Sequence, residues 1–455
     1  MRPFPQAVAR SLVAVRGPAR IVRVGLVASL VALSSLLACD GDDGPAAPGG
    51  DELPDAGAAD AAPAGDSGAD ASPDGAAGGG LGALGRVIGQ TVLALSSDRM
   101  RIYGWGSNVF DVIRKAPSET QYDRPVSLDI DGMPAGPFRQ VVSSGDKTCV
   151  VTEAGRGYCV GDTGANDSLG NGDSESHVAA VALAVGDIPA GVKIVAIDVS
   201  AFTSCVVGDD GEAYCWGDFR RVPVLDPEIA TVTVPRRILR GQASGKIVDV
   251  STAINRSCIL ADGRAYCWNL GQPEIVGQGE LPPGTKLSKL RINDDFSCSP
   301  ADDGEIYCWG TASGLRFGNG TTEFQSGSPY TKVSRANLPT SVRFKDVAVG
   351  GIAGALCGLG TDGWAYCWGS GRDGSVGDGD LTDHDVLAPK AVVRGQVPDG
   401  VTFVGLACGT YHTSALGSDG VVYSWGLNEG AVLAVPTAAN PAVASPVRMS
   451  PLADD

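Results

Sequence analysis

One short hairpin recurs seven times along this chain, and that repetition limits the possible folds more than any other feature. The clearest copy reads Cys205-Val-Val-Gly-Asp209-Asp210-Gly211-Glu-Ala-Tyr214-Cys215-Trp216-Gly217, and it returns as Cys298 to Gly310 and as Cys357 to Gly369. A variant from Cys149 to Gly161 carries Val160 in place of the tryptophan, and another from Cys258 to Trp268 is followed by Asn269 in place of glycine. Two degenerate copies end in Gly104-Trp105-Gly106 and Ser424-Trp425-Gly426. Successive tryptophan positions are 52 to 59 residues apart, except for 41 between Trp268 and Trp309. A unit this small cannot bury its own apolar face, so such repeats must stack on one another.

The spacing inside the unit sets the hairpin register. Opposite residues in an antiparallel pair share a constant index sum, so Cys205 facing Cys215 leaves Asp209-Asp210-Gly211 as a three-residue loop. That loop class ends on a left-handed residue, where glycine is favoured. Gly155, Gly304, Gly363 and Gly420 take the same place in their copies. The copy starting at Cys258 is one residue shorter, and the same pairing leaves Asp262-Gly263, a two-residue type I′ turn. The first copy lacks the glycine, having Asp98-Arg99-Met100 instead.

Cysteines are kept or lost in pairs. Five copies hold both members: Cys149/Cys159, Cys205/Cys215, Cys258/Cys267, Cys298/Cys308 and Cys357/Cys367. The equivalent places in the other two copies are Ala94/Gly104 and Ser414/Ser424. Facing Cβ atoms at such sites lie near disulfide distance, so five cross-strand disulfides are expected. Reduced buried thiols and metal ligation are the competing readings, and metal ligation is disfavoured because no Cys-x-x-Cys pair or accompanying histidine exists. Cys408 is the odd cysteine, six residues before Ser414, and reads as a small buried hydrophobe ahead of a reactive thiol.

The N-terminal residues bear on the compartment. Five arginines between Arg2 and Arg23 precede an uncharged run from Val24 to Ala38, short for a membrane span and suited to a signal peptide. The run ends in Leu36-Leu37-Ala38-Cys39, which resembles the bacterial lipoprotein cleavage box and implies cleavage before Cys39 and lipidation of its sulfur. A plain signal peptide and a retained anchor are the alternatives. Ten acidic residues lie between Asp40 and Asp74, with no Lys or Arg among residues 40–80. Such a composition cannot build a core and predicts a disordered tether. The expected organisation is a signal peptide over 1–38, a lipidated cysteine and acidic tether over 39–83, and a folded body over 84–455. An oxidising export compartment agrees with disulfides. A net charge of -17 argues against double-stranded nucleic acid as a main partner.

Beyond the hairpins come Gly-rich turns such as Leu169-Gly170-Asn171-Gly172, Phe317-Gly318-Asn319-Gly320 and Val376-Gly377-Asp378-Gly379, then Pro-led extended segments, then an apolar strand such as 192–199. The last copy reads Gly409-Thr-Tyr-His412-Thr, then Asp419-Gly420, Tyr423 and Trp425-Gly426. Over roughly residues 84 to 450 this resembles the repeat of the regulator of chromosome condensation family. The resemblance implies an all-β fold, a seven-bladed β-propeller of four-stranded antiparallel blades. Trp105, Trp216, Trp268, Trp309, Trp368 and Trp425 are then expected in the core between blades. The 41-residue interval implies clipped loops in one blade, the 218–235 stretch lacks the Gly-rich turn, and most copies lack the Gly-x-x-His-Thr lead-in. Residues 446–449 are expected to close the ring by completing the blade that the first hairpin begins. The family's nucleotide-exchange and nucleosome roles do not carry over, since no basic face has a counterpart here.

No catalytic motif is found. His177, His384 and His412 are not spaced for zinc, and no nucleophile elbow or phosphate loop occurs. Asp378, Asp380, Asp383 and Asp385 around His384 are weak candidates for calcium, with solvated surface the favoured reading. No cofactor is expected. The sequence is read as a lipid-anchored, monomeric propeller in the bacterial cell envelope, periplasmic or at the surface. It would bind a protein or glycan and meet the membrane only through its anchor. The alternatives are a polysaccharide hydrolase or lyase with its site in the central channel and a calcium-stabilised adhesin. Titratable side chains converging at a channel mouth would favour the enzyme. Peptide mapping without reductant should find Cys205 linked to Cys215, and a link to any other cysteine would break the register.

Overall fold

The computed structural model describes residues 80–452, apart from 88–89, 109–112, 114–119, 129, 163–167, 220–230, 269–273, 352–353 and 439. The leader, Cys39 and the tether up to residue 79 lie outside the described residues. Among those described, 29 strands form seven sheets, each with four strands antiparallel in sequence order. The protein is an all-β seven-bladed propeller. Blade 3 shows the pattern: an inner strand Ile194–Val199, the hairpin strands Thr203–Gly208 and Ala213–Asp218, and an outer strand Thr231–Arg237. Blade 2 gains a short parallel strand, Arg86–Val87, beside Phe138–Ser143. In blade 4 the outer strand shrinks to Glu274–Ile275, and in blade 5 the inner strand to Arg291–Ile292, so the 41-residue interval clips strands as well as loops.

The hairpins hold the deduced register in six blades. Cys205 faces Cys215, Cys258 faces Cys267 and Ser414 faces Ser424. Gly211 sits at φ 79°, and the shorter turn has Asp262 and Gly263 both at positive φ, as a type I′ turn requires. The first hairpin departs from the expected Ala94/Gly104 pairing: Leu93 faces Gly104 and Ala94 faces Tyr103. Arg99 takes the left-handed position (φ 60°) and Met100 is an extra residue after it, so the register slips by one. The structure joins Cys149–Cys159, Cys205–Cys215, Cys258–Cys267, Cys298–Cys308 and Cys357–Cys367, with Cα atoms 4.0 to 4.1 Å apart. At the same site a hydrogen bond joins the Ser414 and Ser424 hydroxyls at 3.0 Å in blade 7. In blade 1 the Leu93 side chain lies over Gly104, within 3.0 Å of where a Cβ there would stand.

Blades are joined by one backbone contact used seven times. The left-handed loop residue of each hairpin offers its carbonyl to an N–H at the start of the next blade. The donors and acceptors are Phe138 to Arg99 (2.8 Å), Ile194 to Gly155 (3.0 Å), Ile247 to Gly211 (3.0 Å), Leu287 to Gly263 (3.0 Å), Phe344 to Gly304 (2.7 Å), Phe403 to Gly363 (2.7 Å) and Leu81 to Gly420 (2.9 Å). The last of these closes the ring. Residues 446–449 do not close it, contrary to expectation, because Ala442–Arg448 is the outer strand of blade 7. Blade 1 already has its own inner strand, Leu81–Leu84, which begins before the expected boundary at 84 and leaves no vacant place. Leu81, Val92 and Trp105 of blade 1 share an apolar cluster with Leu416, Val422 and Met449.

All six repeat tryptophans are buried to 1% exposure or less. Four indole N–H groups donate to a carbonyl in the preceding blade's post-hairpin loop: Trp105 to Val432, Trp216 to Ser168, Trp368 to Arg316 and Trp425 to Ser375, at 3.0 to 3.1 Å. A buried aromatic removes roughly 150 to 250 Å² from water, several kcal/mol at about 25 cal/mol/Å². The hydrogen bond adds about 1 kcal/mol, so the ring is chiefly an apolar wedge and the bond sets its orientation. The Gly-rich turns make room for it. A Cβ on Gly377 (φ 70°) would stand 2.7 Å from the Trp425 indole nitrogen, whereas one on Gly400 (φ 81°) would meet nothing within 4 Å. Urea unfolding should therefore find Gly400→Ala costing about 1 to 2 kcal/mol for backbone strain alone. Gly377→Ala should cost about 1 to 3 kcal/mol more through overpacking, and equal losses would contradict the wedge.

Candidate binding surface

The inner strands line the central channel, and six of the seven begin with the same local irregularity. In blades 1, 2, 3, 4, 6 and 7 the register shifts at the second residue, as between Phe138 and Gln140 or Phe344 and Asp346. Such bulges turn strands at closed rims. The following residue reaches the next blade in several cases. Gln140 exchanges two hydrogen bonds with the Ile197 backbone, and Asp249 Oδ2 accepts the Leu290 N–H at 2.8 Å. Two residues further along its strand, Asp198 Oδ2 accepts the Thr252 N–H at 2.7 Å. Asp346 takes Lys289 Nζ at 2.8 Å and the Val347 N–H at 2.9 Å. Arg291 Nη2 lies 3.8 Å from the same carboxylate. The channel enclosed by these strands holds a cavity of about 310 Å³. Titratable groups do converge here, but the three carboxylates accept hydrogen bonds as struts between and within blades.

A larger recess of about 440 Å³ opens where blades 7, 1 and 2 meet, lined by Gln90, Asp146, Tyr411, His412 and Glu429 among others. Burial raises the Asp146 carboxyl above its usual range, against the opposing effects of Lys147 and the Ser144 hydroxyl. His412, from the Gly-Thr-Tyr-His-Thr lead-in, is 4% exposed, and burial pushes it down to about 4, so it stands neutral. Cys408 ends the inner strand of blade 7 opposite Thr413. Its thiol is buried and raised to about 12 by that burial, which keeps it protonated and unreactive.

The carboxylates singled out around His384 are not gathered into one site. Asp378, with only 3% of its side chain exposed, accepts from His384 Nε2 at 3.0 Å and Lys390 Nζ at 2.9 Å. Burial by itself would raise its pKa, but Lys390 and His384 together hold it below the usual carboxylate value. Asp380 caps the turn at Thr382, Asp383 lies 3.9 Å from Arg372, and Asp385 begins the exposed end of its strand. Among the described residues no group of three or more His, Cys, Asp or Glu side chains is arranged to hold a metal ion. His177 makes an equivalent contact to Asp173 at 3.1 Å in blade 2. Sequence reasoning missed both the channel struts and this histidine brace. The signal for the struts was present as a polar residue two places into the inner strands, at Gln140, Asp249 and Asp346.

The His384 brace carries a pH dependence. Nδ1 faces the Thr382 carbonyl at 2.7 Å and Nε2 faces a carboxylate, so both ring nitrogens must donate. The Thr382 carbonyl raises the pKa of His384; burial opposes this, and the Asp378 carboxylate helps to keep the net direction upward. A raised folded-state pKa contributes stability that is complete below the unfolded value and fades as pH climbs through the folded one. Replacing His384 with Gln should therefore lower stability to urea more at pH 5.5 than at pH 8.5, and an equal loss at both would contradict the charged brace.

Residues 362–416 match the Regulator of chromosome condensation (RCC1) repeat. The chain is 25% identical over 313 residues to the ultraviolet-B receptor UVR8 of Arabidopsis thaliana, a match covering 64% of this chain and 65% of the receptor. It is 26% identical over 212 residues to the E3 ubiquitin-protein ligase HERC2 of Homo sapiens, covering 43% of this chain and 4% of the ligase. In both cases the match spans less than two thirds of the relative. The crystal structure of Prp20p from Saccharomyces cerevisiae has a TM-score of 0.62 at 18% identity, covering 81% of this chain and 88% of that one. The repeat match at residues 362–416 and these similarities agree with the seven-bladed propeller fold described above.

Proposed function

We propose that this chain is exported, anchored to the bacterial cell envelope by a lipid on Cys39, and serves as a rigid platform that binds a protein or glycan. The observation that carries the binding reading is the state of the channel. Asp198, Asp249 and Asp346 each accept a backbone N–H, and Asp346 also a lysine, so they stand as struts and not as an acid/base pair. General acid–base work needs a carboxyl free to meet a substrate atom, and these carboxylates are instead engaged by donors of the fold.

Export is supported by the charged leader with its Leu36-Leu37-Ala38-Cys39 box and by five disulfides in one body. The acidic tether would hold the propeller away from the anionic bilayer by like-charge repulsion. Prp20p is described by its binding to Gsp1p and histones, which supports protein binding as a use of this architecture.

Metabolic labelling with a palmitate analogue in a bacterial host should mark the parent and place it in the membrane fraction, whereas Cys39→Ser should be unlabelled and released. Equal labelling of both would overturn the anchor. Affinity capture from envelope extract with the oxidised protein should retain a partner that the reduced, unfolded protein does not. Retention by both, or by neither, would remove the platform reading.

A further inference from the structure

The two ends of the ring differ in charge. One end is made by the hairpin tips and the connections between blades. There Arg236, Arg237, Arg240 and Arg335 pair with Asp187, Glu212 and Glu305. The opposite end is made by the turns after the inner strands and by the connections that follow the hairpins. Glu175, Glu274, Asp295, Glu323, Asp385 and Glu429 stand exposed at that end, and none of them forms a salt bridge. The basic side chains described there do not balance them. Lys147 and Arg256 are buried, and Arg316 donates to the carbonyls of Gly351 and Gly354. Arg124 lies against Asp123, and Arg372 against Asp373 and Asp383.

The recess between blades 7, 1 and 2 opens at this acidic end. It lies between two turns, residues 144–146 and 409–411, beside the connection that holds Glu429. Its described wall carries two carboxylates, Asp146 and Glu429, and no basic side chain. Asp146 accepts the Ser144 hydroxyl but forms no salt bridge, and burial raises its pKa. His412 belongs to the same wall. It is 4% exposed, and its Nε2 has no hydrogen-bond partner. Burial lowers its pKa to about 4, so the ring is neutral and brings no positive charge to the recess. A carboxylate withdrawn from water without a counter-ion is costly, and a neutral imidazole has one nitrogen lone pair to offer. Both favour a cationic donor in the recess over an anion or an apolar group.

We propose that this recess receives the charged head of one lysine or arginine from a basic polypeptide segment, whose remaining cations lie over the acidic end of the ring. A volume of about 440 Å³ has room for such a side chain with its stem. Unpaired carboxylates are spread over blades 2, 4, 5, 6 and 7, and no described group of three is arranged to hold a metal ion. That distribution suits an extended polycation better than a single ion. Complementary charge over a wide surface speeds encounter, and the recess fixes the register. The inference rests on the reading of this chain as a binding platform and names the chemistry of its partner.

The test uses the oxidised full chain and isothermal titration calorimetry. The probes are a synthetic peptide of alternating lysine and serine, the same peptide with every lysine acetylated, a chitosan oligomer and calcium chloride. The lysine peptide should bind, more weakly as salt is added, and the acetylated form should bind roughly tenfold less tightly or worse. Asp146→Asn with Glu429→Gln should weaken the lysine peptide roughly tenfold or more. Asp131→Asn with Asp399→Asn removes the same charge from exposed turns at the hairpin-tip end and should change affinity by less than about threefold. Glu429→Lys alters an exposed side chain without a salt bridge, so it leaves the fold intact and should weaken the peptide at least as much as the recess pair. No binding of the lysine peptide, equal binding of its acetylated form, equal losses in the two double variants, or tighter binding of the chitosan oligomer or calcium would each overturn the site. A partner captured from envelope extract equally by the parent and by the recess variants would overturn this inference and leave the platform reading standing, whereas a parent that captures nothing would remove the platform reading itself.

Discussion

The propeller depends on a carbonyl presented by a left-handed residue at each hairpin tip. That residue turns its C=O toward the following blade, where one N–H takes it up, from Arg99 and Phe138 round to Gly420 and Leu81. Each bond contributes about 1 kcal/mol, too little to hold two sheets together alone. What it adds is direction. It fixes where one inner strand starts relative to the previous hairpin, and that placement brings an indole against the preceding blade's glycine turn.

This mode of closure explains how the ring manages its edges. A closed ring has no open first and last strand to invite pairing. Here the four antiparallel strands of every blade come from one stretch of chain, with only the two-residue strand Arg86–Val87 crossing from blade 1 to blade 2, and the ring shuts by the same contact that joins any two neighbours. Trp105 against Val432 and Leu81 against Gly420 repeat what Trp425 and Phe403 do one blade earlier. The disulfides take no part in closure. Each lies within one hairpin and closes a loop of about ten residues, worth roughly 2 to 3 kcal/mol on loop entropy. The two blades without one, blades 7 and 1, are those that meet at the junction, and there a serine pair and a leucine over glycine occupy the site.

Much of this was legible in the residues. Blade number, hairpin register and the glycine at the loop tip follow from a strict local spacing, because a two- or three-residue turn leaves the chain few choices. The first hairpin was misjudged since Met100 adds a residue without any composition signal, while Arg99 adopts a conformation that glycine usually marks. Closure was misjudged because Leu81–Leu84 is short, Gly-containing and adjoins a stretch of Ala and Gly. The struts at Asp198 and Asp249 join residues more than 40 positions apart. They depend on the angle between neighbouring blades, which local spacing does not encode.

The ring closes through the hairpin carbonyl of Gly420 and the Leu81 N–H, and amide hydrogen exchange tests this closure directly. The Leu81 N–H should be protected to the same degree as its counterparts at Ile194, Phe344 and Phe403, since all four are held in one kind of bond within one cooperative body. Exchange at Leu81 as fast as in an open chain end, with the other three still protected, would show that blades 1 and 7 are not joined in this way.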